Sequence, residues 1–220
     1  IVLYEIALRY HRLGLAAAGS PYAFHTVGST IAVDARAYAE VRGFPKKEAG
    51  EDFYLLDKLA KTGPVMPLGG DPIRIRGRAS DRVPFGTGRT LLEFQRGDRT
   101  IADYRLLDPR VFLHLRGVLT WIAGEYARFQ IDSSGLRGRA EGSWNGAGLN
   151  GGAMGEVLEN MGAFAALQAF LKPSHDSIRN RACMTWFDAF RTLRFLHDLR
   201  DYAFPPVPFV ASMLPPRRDI

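Results

Sequence analysis

The sequence predicts an α/β fold followed by an all-helical C-terminal extension, with the change near residue 100. Before that point, short stretches of β-branched residues alternate with stretches whose apolar residues recur at helical spacing. Beyond it, helical spacing dominates. We therefore divide the chain into residues 1–100 and residues 101–220.

The first part carries signals for three helices and three short strands. Apolar residues between charges predict a helix over 1–18, Asp34 can cap a helix over 35–41, and a third helix is expected over 51–62. The expected strands are 24–33, 65–68 and 73–75. Residues 76–89 are so rich in Gly, Pro and Arg that we expect a loop.

The second part predicts helices over 109–130, 153–171 and 174–199. Between the first two lies a glycine-rich stretch, 135–155, which we interpret as a flexible loop. It contains the spelling G-x-G-x-x-G at 146–151, but no strand precedes it, and a dinucleotide-binding fingerprint requires that strand. The tail after Phe204 is proline-rich and should be extended.

The amino-acid composition limits the classes of protein to which the chain can belong. The 220 residues are 46% hydrophobic, which is enough for a sizeable core. A net charge of +6 favours acidic partners, although the basic residues are dispersed. Cys183 is the single cysteine, so an internal disulfide framework is excluded. We find no bilayer-length apolar stretch and no signal peptide, and the start at Ile1 leads us to expect a fragment.

Three short motifs in a fixed order are the most informative feature. They are HTVGST at 25–30, VRGFP at 41–45 and AGEDFYL at 49–55. Together they resemble the second half of the family 2 glycosyltransferases, whose GT-A fold has a Rossmann-like sheet. Arg42 stands where that family usually has a glycine. The loop RASDRVPFGTG at 78–88 looks like that of a bacterial subgroup.

The resemblance implies an inverting transfer of a sugar from a nucleotide-diphosphate sugar to an acceptor hydroxyl. Asp52 matches the family's catalytic base, which removes the proton of the attacking hydroxyl, and Glu51 would help to position the acceptor. A positioned base contributes about 10²–10⁴-fold to the rate. The alternative is structural: acids in the first turn of a helix are stabilised by its dipole.

Further substrate contacts are expected around the same segment. His25 could contact the donor diphosphate or its metal, and Gly28 and Ser29 could let the substrate approach the backbone. Arg78 and Arg82 could close over the leaving diphosphate, with Asp81 holding one of them in place. Each assignment has a structural alternative. His25 could be an ordinary structural histidine, Gly28 and Ser29 could serve close packing, and the arginines could belong to a solvated basic loop.

The sequence contains no Asp-x-Asp motif, which the family uses for its metal and nucleotide. We therefore expect the nucleotide-binding N-terminal half, and the ligands of Mg²⁺ or Mn²⁺, to lie outside this chain. The 220 residues alone should be inactive, and we assign them no metal ligands.

The resemblance also implies the partners and the location. We expect a nucleotide-sugar donor, a sugar or lipid-linked sugar as acceptor, and a cytoplasmic location, either free or peripheral to the inner face of the membrane. A non-catalytic carbohydrate-binding or scaffold module stays open as an alternative. A basic nucleic-acid or membrane-surface binder is a weaker one. Nucleic acid is disfavoured because the aromatic residues fall on helix faces instead of among the arginines.

Overall fold

The computed structural model describes residues 2–26, 30–71, 73, 76–82, 86–124, 126, 135–171 and 176–209. In these ranges the chain is mostly helical, with one two-stranded sheet. The helices are α1 (Val2–Ala17), α2 (Ala35–Glu40), α3 (Glu51–Ala60), α4 (Thr87–Arg96), α5 (Arg110–Ala123), α6 (Leu136–Gly146), α7 (Gly151–Asn160), α8 (Ala163–Phe170), α9 (Asp176–Trp186) and α10 (Ala189–Tyr202). The strands are β1 (Arg105–Leu106) and β2 (Val207–Pro208).

The predicted α/β fold with a GT-A-like sheet is therefore wrong for this chain. The described residues of 24–33, 65–68 and 73–75 form no strand. A strand needs a neighbour whose backbone groups pair with its own, and no described segment pairs with these. Ile31 and Val33 instead pack as partly buried side chains against α2 and α3. The β-branched residues here bury apolar side chains, but their backbone forms no strand pairing.

The first three helices are confirmed where their spacing and caps predict them. The Asp34 carboxylate accepts hydrogen bonds from the backbone N–H groups of Arg36 and Ala37, each at 3.0 Å, and so caps α2. The turn after α2 uses two left-handed residues, Arg42 at φ 60° and Gly43 at φ 62°. A Cβ at Gly43 would meet the Tyr38 ring at 2.8 Å, so this position needs glycine.

The glycine-rich stretch 135–155 is not a loop but forms α6 and the first half of α7. Its glycines allow close packing: a Cβ at Gly151 would meet the Glu141 carbonyl oxygen, and one at Gly155 would meet the Glu141 carboxylate. Gly117 of α5 is similarly covered by the Leu149 side chain. The loop predicted at 76–89 also ends early, because α4 begins at Thr87.

Two apolar clusters form the core. The larger one joins the C-terminal end of α1 to the helices from α5 onward, and α10 packs against both α5 and α7. Trp121 and Trp144 meet at its centre with ring centroids 5.6 Å apart. The smaller cluster contains Val41, Leu55, Leu56 and Leu59 and anchors α3. The expected division at residue 100 stays a prediction.

The described C-terminal tail is extended, as predicted, and lies against the middle of the chain. In the antiparallel pair, Arg105 lies opposite Pro208 and Leu106 opposite Val207. Beyond β2, the Phe209 N–H donates to the Tyr104 carbonyl at 3.0 Å. None of the helices in the described ranges is long and apolar enough to cross a membrane.

Candidate functional site

Asp52 lies in the first turn of α3, as predicted. The helix begins after Gly50, whose left-handed φ of 74° turns the chain into it. Asp52 is half-buried, and its Oδ1 accepts a 2.8 Å hydrogen bond from the Phe53 N–H. The buried leucines behind it fix the orientation of the helix. The carboxylate therefore lies at the positive end of the helix dipole.

Tyr4 of α1, which no sequence pattern singled out, lies within range of the Asp52 charge. The Tyr4 hydroxyl of α1 forms a side-chain hydrogen bond with Thr87 of α4, and the Asp52 charge acts on the same tyrosine. Burial, followed by the Asp52 charge, raises the pKa of Tyr4, while the bond to Thr87 opposes them. The first turns of α1 and α4 are thus joined through Tyr4 and Thr87, and the Asp52 charge on α3 reaches Tyr4. No local pattern could reveal contacts between residues so far apart in the chain.

The VRGFP turn is tied directly to α3. The Lys58 Nζ of that helix donates to the Val41 carbonyl at 2.6 Å and to the Gly43 carbonyl at 2.9 Å. These bonds satisfy carbonyl groups that follow the end of α2. The structure therefore brings together two of the three motifs that carry the resemblance, through a lysine that lies outside all of them.

The arginine-containing loop is anchored at the start of α4. The Ser80 N–H donates to the Gly88 carbonyl at 3.0 Å, and Gly88 follows Thr87 directly. A Cβ at Gly88 would lie 2.8 Å from the Ser80 Cβ, so the two backbones approach closely. Arg78, Asp81 and Arg82 are exposed. Within the described residues, no ion pair joins Asp81 to either arginine, so the expected bracing contact is not seen here.

The other predicted site residues are spread around this centre. Glu51 is exposed at the start of α3. His25 is exposed beside α1; partial burial and then the charges of Arg12 and Arg9 lower the pKa of His25. Gly28 and Ser29 lie outside the described residues. The described ranges contain no group of three His, Cys, Asp or Glu side chains able to hold a metal ion.

A catalytic base should face an open cleft, but Asp52 lines neither of two cavities found in the described part of the chain. One is a small apolar space between Trp121, Trp144 and Phe187. The other lies between α1, β1 and α10 and has a volume of about 280 Å³. The candidate site is instead a partly exposed surface at the start of α3.

A buried acid that the sequence analysis did not single out connects α3 to the helical extension. Asp57 is 6% exposed, and its carboxylate accepts bonds from the Ala189 N–H at 2.9 Å and the Lys61 Nζ at 2.8 Å. The same Lys61 Nζ reaches Asp188 at 3.1 Å. The only signal in the sequence is an acid among the leucines of α3. Its partner, the start of α10, is distant in the chain.

Comparison of the chain with protein-family models, with curated proteins and with solved structures finds no match.

Proposed function

We propose that this chain carries the acceptor side of an inverting glycosyltransferase of family 2, with Asp52 as the base. The reaction is the transfer of a sugar from a nucleotide-diphosphate sugar to an acceptor hydroxyl. The observation that carries the proposal is the position of Asp52: half-buried, in the first turn of α3 and therefore still partly exposed to solvent. A carboxylate there can accept a proton and still be reached by a substrate.

The contacts around Asp52 support the assignment of roles. Burial and the helix start hold the carboxylate in one place, which a general base requires. Lys58 holds the VRGFP turn against the same helix. Arg78 and Arg82 are exposed on a loop anchored at α4, and in this proposal they neutralise the charge on the leaving diphosphate. Glu51, His25, Gly28 and Ser29 complete the proposed substrate contacts.

The proposal also specifies what surrounds the chain. Mg²⁺ or Mn²⁺ would neutralise the donor diphosphate, with its carboxylate ligands mostly on a segment outside these 220 residues. The acceptor would be a sugar or a lipid-linked sugar, reached in the cytoplasm or at the inner face of the membrane. The 220-residue chain alone would not catalyse sugar transfer.

The test is an Asp52→Asn substitution in the complete gene product. We expect the rate of sugar transfer to fall by about 10²–10⁴-fold, because the amide cannot accept the proton. Asp98→Asn is the matched control: it removes an exposed acid that follows the far end of α4 and should leave the rate unchanged. Donor hydrolysis and sugar transfer are measured separately, with a panel of nucleotide sugars.

Equal rates for wild type and Asp52→Asn would remove Asp52 from the chemistry. A complete gene product that binds saccharides but turns over no donor would favour the alternative, a non-catalytic carbohydrate-binding module. Saccharide binding by the isolated chain, followed by isothermal calorimetry, distinguishes that module from an inert scaffold.

A further inference from the structure

The second cavity contains charged and imidazole groups that the proposed transfer reaction does not use. It has a volume of about 280 Å³ and lies between α1, β1 and α10. Five polar side chains line it: Tyr10 and His11 from α1, Arg105 from β1, and His197 and Arg200 from α10. Its volume is near the lower limit of small-molecule sites, which begin at about 300 Å³. A ligand that fills it must be small.

The two imidazoles lie close enough for their charges to repel each other. Burial, and then the proximity of His197, lowers the pKa of His11 to about 4. Burial, and then the nearby Arg200, lowers the pKa of His197. Both rings are therefore neutral at neutral pH, and each can offer one N–H donor. Among the described residues, neither ring makes a hydrogen bond, so these donors are available to a ligand.

The arginines make the cavity suited to an anion. Arg105 uses one nitrogen, donating to the Ala102 carbonyl at 2.6 Å, and keeps further N–H groups. Arg200 is held by Asp201 through two bonds of 2.6 and 2.7 Å, which orient its guanidinium and offset part of its charge. The nearby Asp198 is paired with Arg194 at 3.2 Å. Arg105 also lies within range of the exposed Asp103, whose charge offsets part of its own, and its remaining N–H groups are the donors that β1 offers to a ligand.

Tyr10 stiffens the part of the wall that α1 and β1 form. Its hydroxyl donates to the Leu107 carbonyl at 2.7 Å and so links α1 to the residue after β1. The Tyr10 ring also packs edge-on against Phe112 of α5. The donors of α1 and β1 are thereby held at a set separation before any ligand arrives, which lowers the entropic cost of binding.

We propose that this cavity binds a phosphate or pyrophosphate group through Arg105, Arg200 and the two imidazoles. Arginine forms planar, paired hydrogen bonds with phosphate oxygens, and the imidazoles add neutral donors. A divalent cation is disfavoured, because two guanidinium groups face the same space. The proposal does not depend on Asp52. The group can belong to a free phosphorylated molecule or to a phospholipid, and both offer the same oxygens.

The test titrates the 220-residue chain with inorganic pyrophosphate and follows the C2–H resonances of His11 and His197 by NMR. Saturable shifts of both resonances are expected. Arg105→Ala should weaken binding about tenfold, the typical loss for a hydrogen bond to a charged group. Arg116→Ala, on an exposed part of α5, removes the same charge outside the cavity and should change the affinity by less than about twofold.

A parallel arm uses phosphatidylcholine vesicles with and without phosphatidic acid. Vesicle binding that needs phosphatidic acid and is lost in Arg105→Ala supports a lipid source. Binding of pyrophosphate alone supports a free phosphorylated ligand. The proposal is overturned if neither probe shifts the two resonances, whether or not Zn²⁺ does, or if Arg116→Ala and Arg105→Ala lose affinity equally. The wild-type shifts decide the question even if a variant fails to fold.

Discussion

Asp57 is a buried acid of α3 whose carboxylate contacts the start of α10. Its carboxylate satisfies the N–H of Ala189, one of the backbone donors that a helix start leaves without an intrahelical partner. Asp188 caps the same helix by accepting from the Arg191 N–H at 3.0 Å. Lys61 lies between the two acids and offsets their charge. One buried residue thus couples α3 to α10.

We predict that Asp57→Ala lowers the free energy of unfolding by about 2 kcal/mol, because a buried N–H and an ammonium group lose their acceptor. Asp57→Asn should cost less, since its amide oxygen can still accept from Ala189. Urea denaturation followed by circular dichroism measures both. Asp98→Ala, an exposed control, should be neutral. A loss in Asp98→Ala equal to that in Asp57→Ala would refute this role for Asp57.

At the scale of elements, the contact between α6 and α7 explains the glycines of 135–155. The two helices lie so close that the Cα of Gly151 faces the Glu141 backbone and that of Gly155 faces the Glu141 side chain. The Arg137 guanidinium then bonds Glu141 at 2.7 Å and Glu156 at 3.1 Å and joins the two helices. Glycine serves close packing here, although the same composition is typical of flexible loops.

Gly151→Ala and its neighbour Gly152→Ala should have opposite effects on stability. A Cβ at Gly151 would meet the Glu141 carbonyl oxygen and, at 2.8 Å, the Asn145 Oδ1. We expect a loss of about 1–3 kcal/mol, because backbone cannot move aside easily. The nearest atom to a Cβ at Gly152 is 3.9 Å away, so alanine there should stabilise the protein by about 0.4–1 kcal/mol. Thermal denaturation of the pair checks this, and destabilisation by Gly152→Ala would contradict it.

At the scale of the whole molecule, three histidines, on helices α1, α5 and α10, are neutral in the folded state. His114 is 5% exposed; its Nδ1 lies 2.7 Å from the Arg110 carbonyl, and its Nε2 accepts from the Asn150 N–H at 3.0 Å. Only the neutral ring, protonated on Nδ1, satisfies both partners. Burial lowers the pKa of His11, His114 and His197. The folded state therefore resists protonation at all three.

We predict that acid destabilises the protein already below about pH 6.5, where unfolded histidines begin to take up protons and the folded ones do not. From His11 alone, with its pKa near 4, the loss at pH 5 should be about 2 kcal/mol relative to pH 7. Urea midpoints across this range measure it. His11→Gln should flatten the acid slope, and a wild-type midpoint that does not change between pH 7 and pH 5 would exclude the effect.

The sequence by itself determined the features that depend on neighbouring residues. The positions of α1, α2 and α3, the Asp34 cap, the place of Asp52 in a first turn and the extended tail all follow from spacing and local hydrogen bonding. Such features need only a few consecutive residues to form.

Only the tertiary structure decided which segments meet. It left the β-branched stretches without strand partners, turned the glycine-rich stretch into packed helices, and brought Tyr4 within range of the Asp52 charge. Strand pairing and close helix contact depend on residues far apart in the chain. A stretch of β-branched residues is therefore compatible with a hydrogen-bonded strand or with simple burial. A glycine-rich stretch is compatible with a loop or with a tightly packed helix.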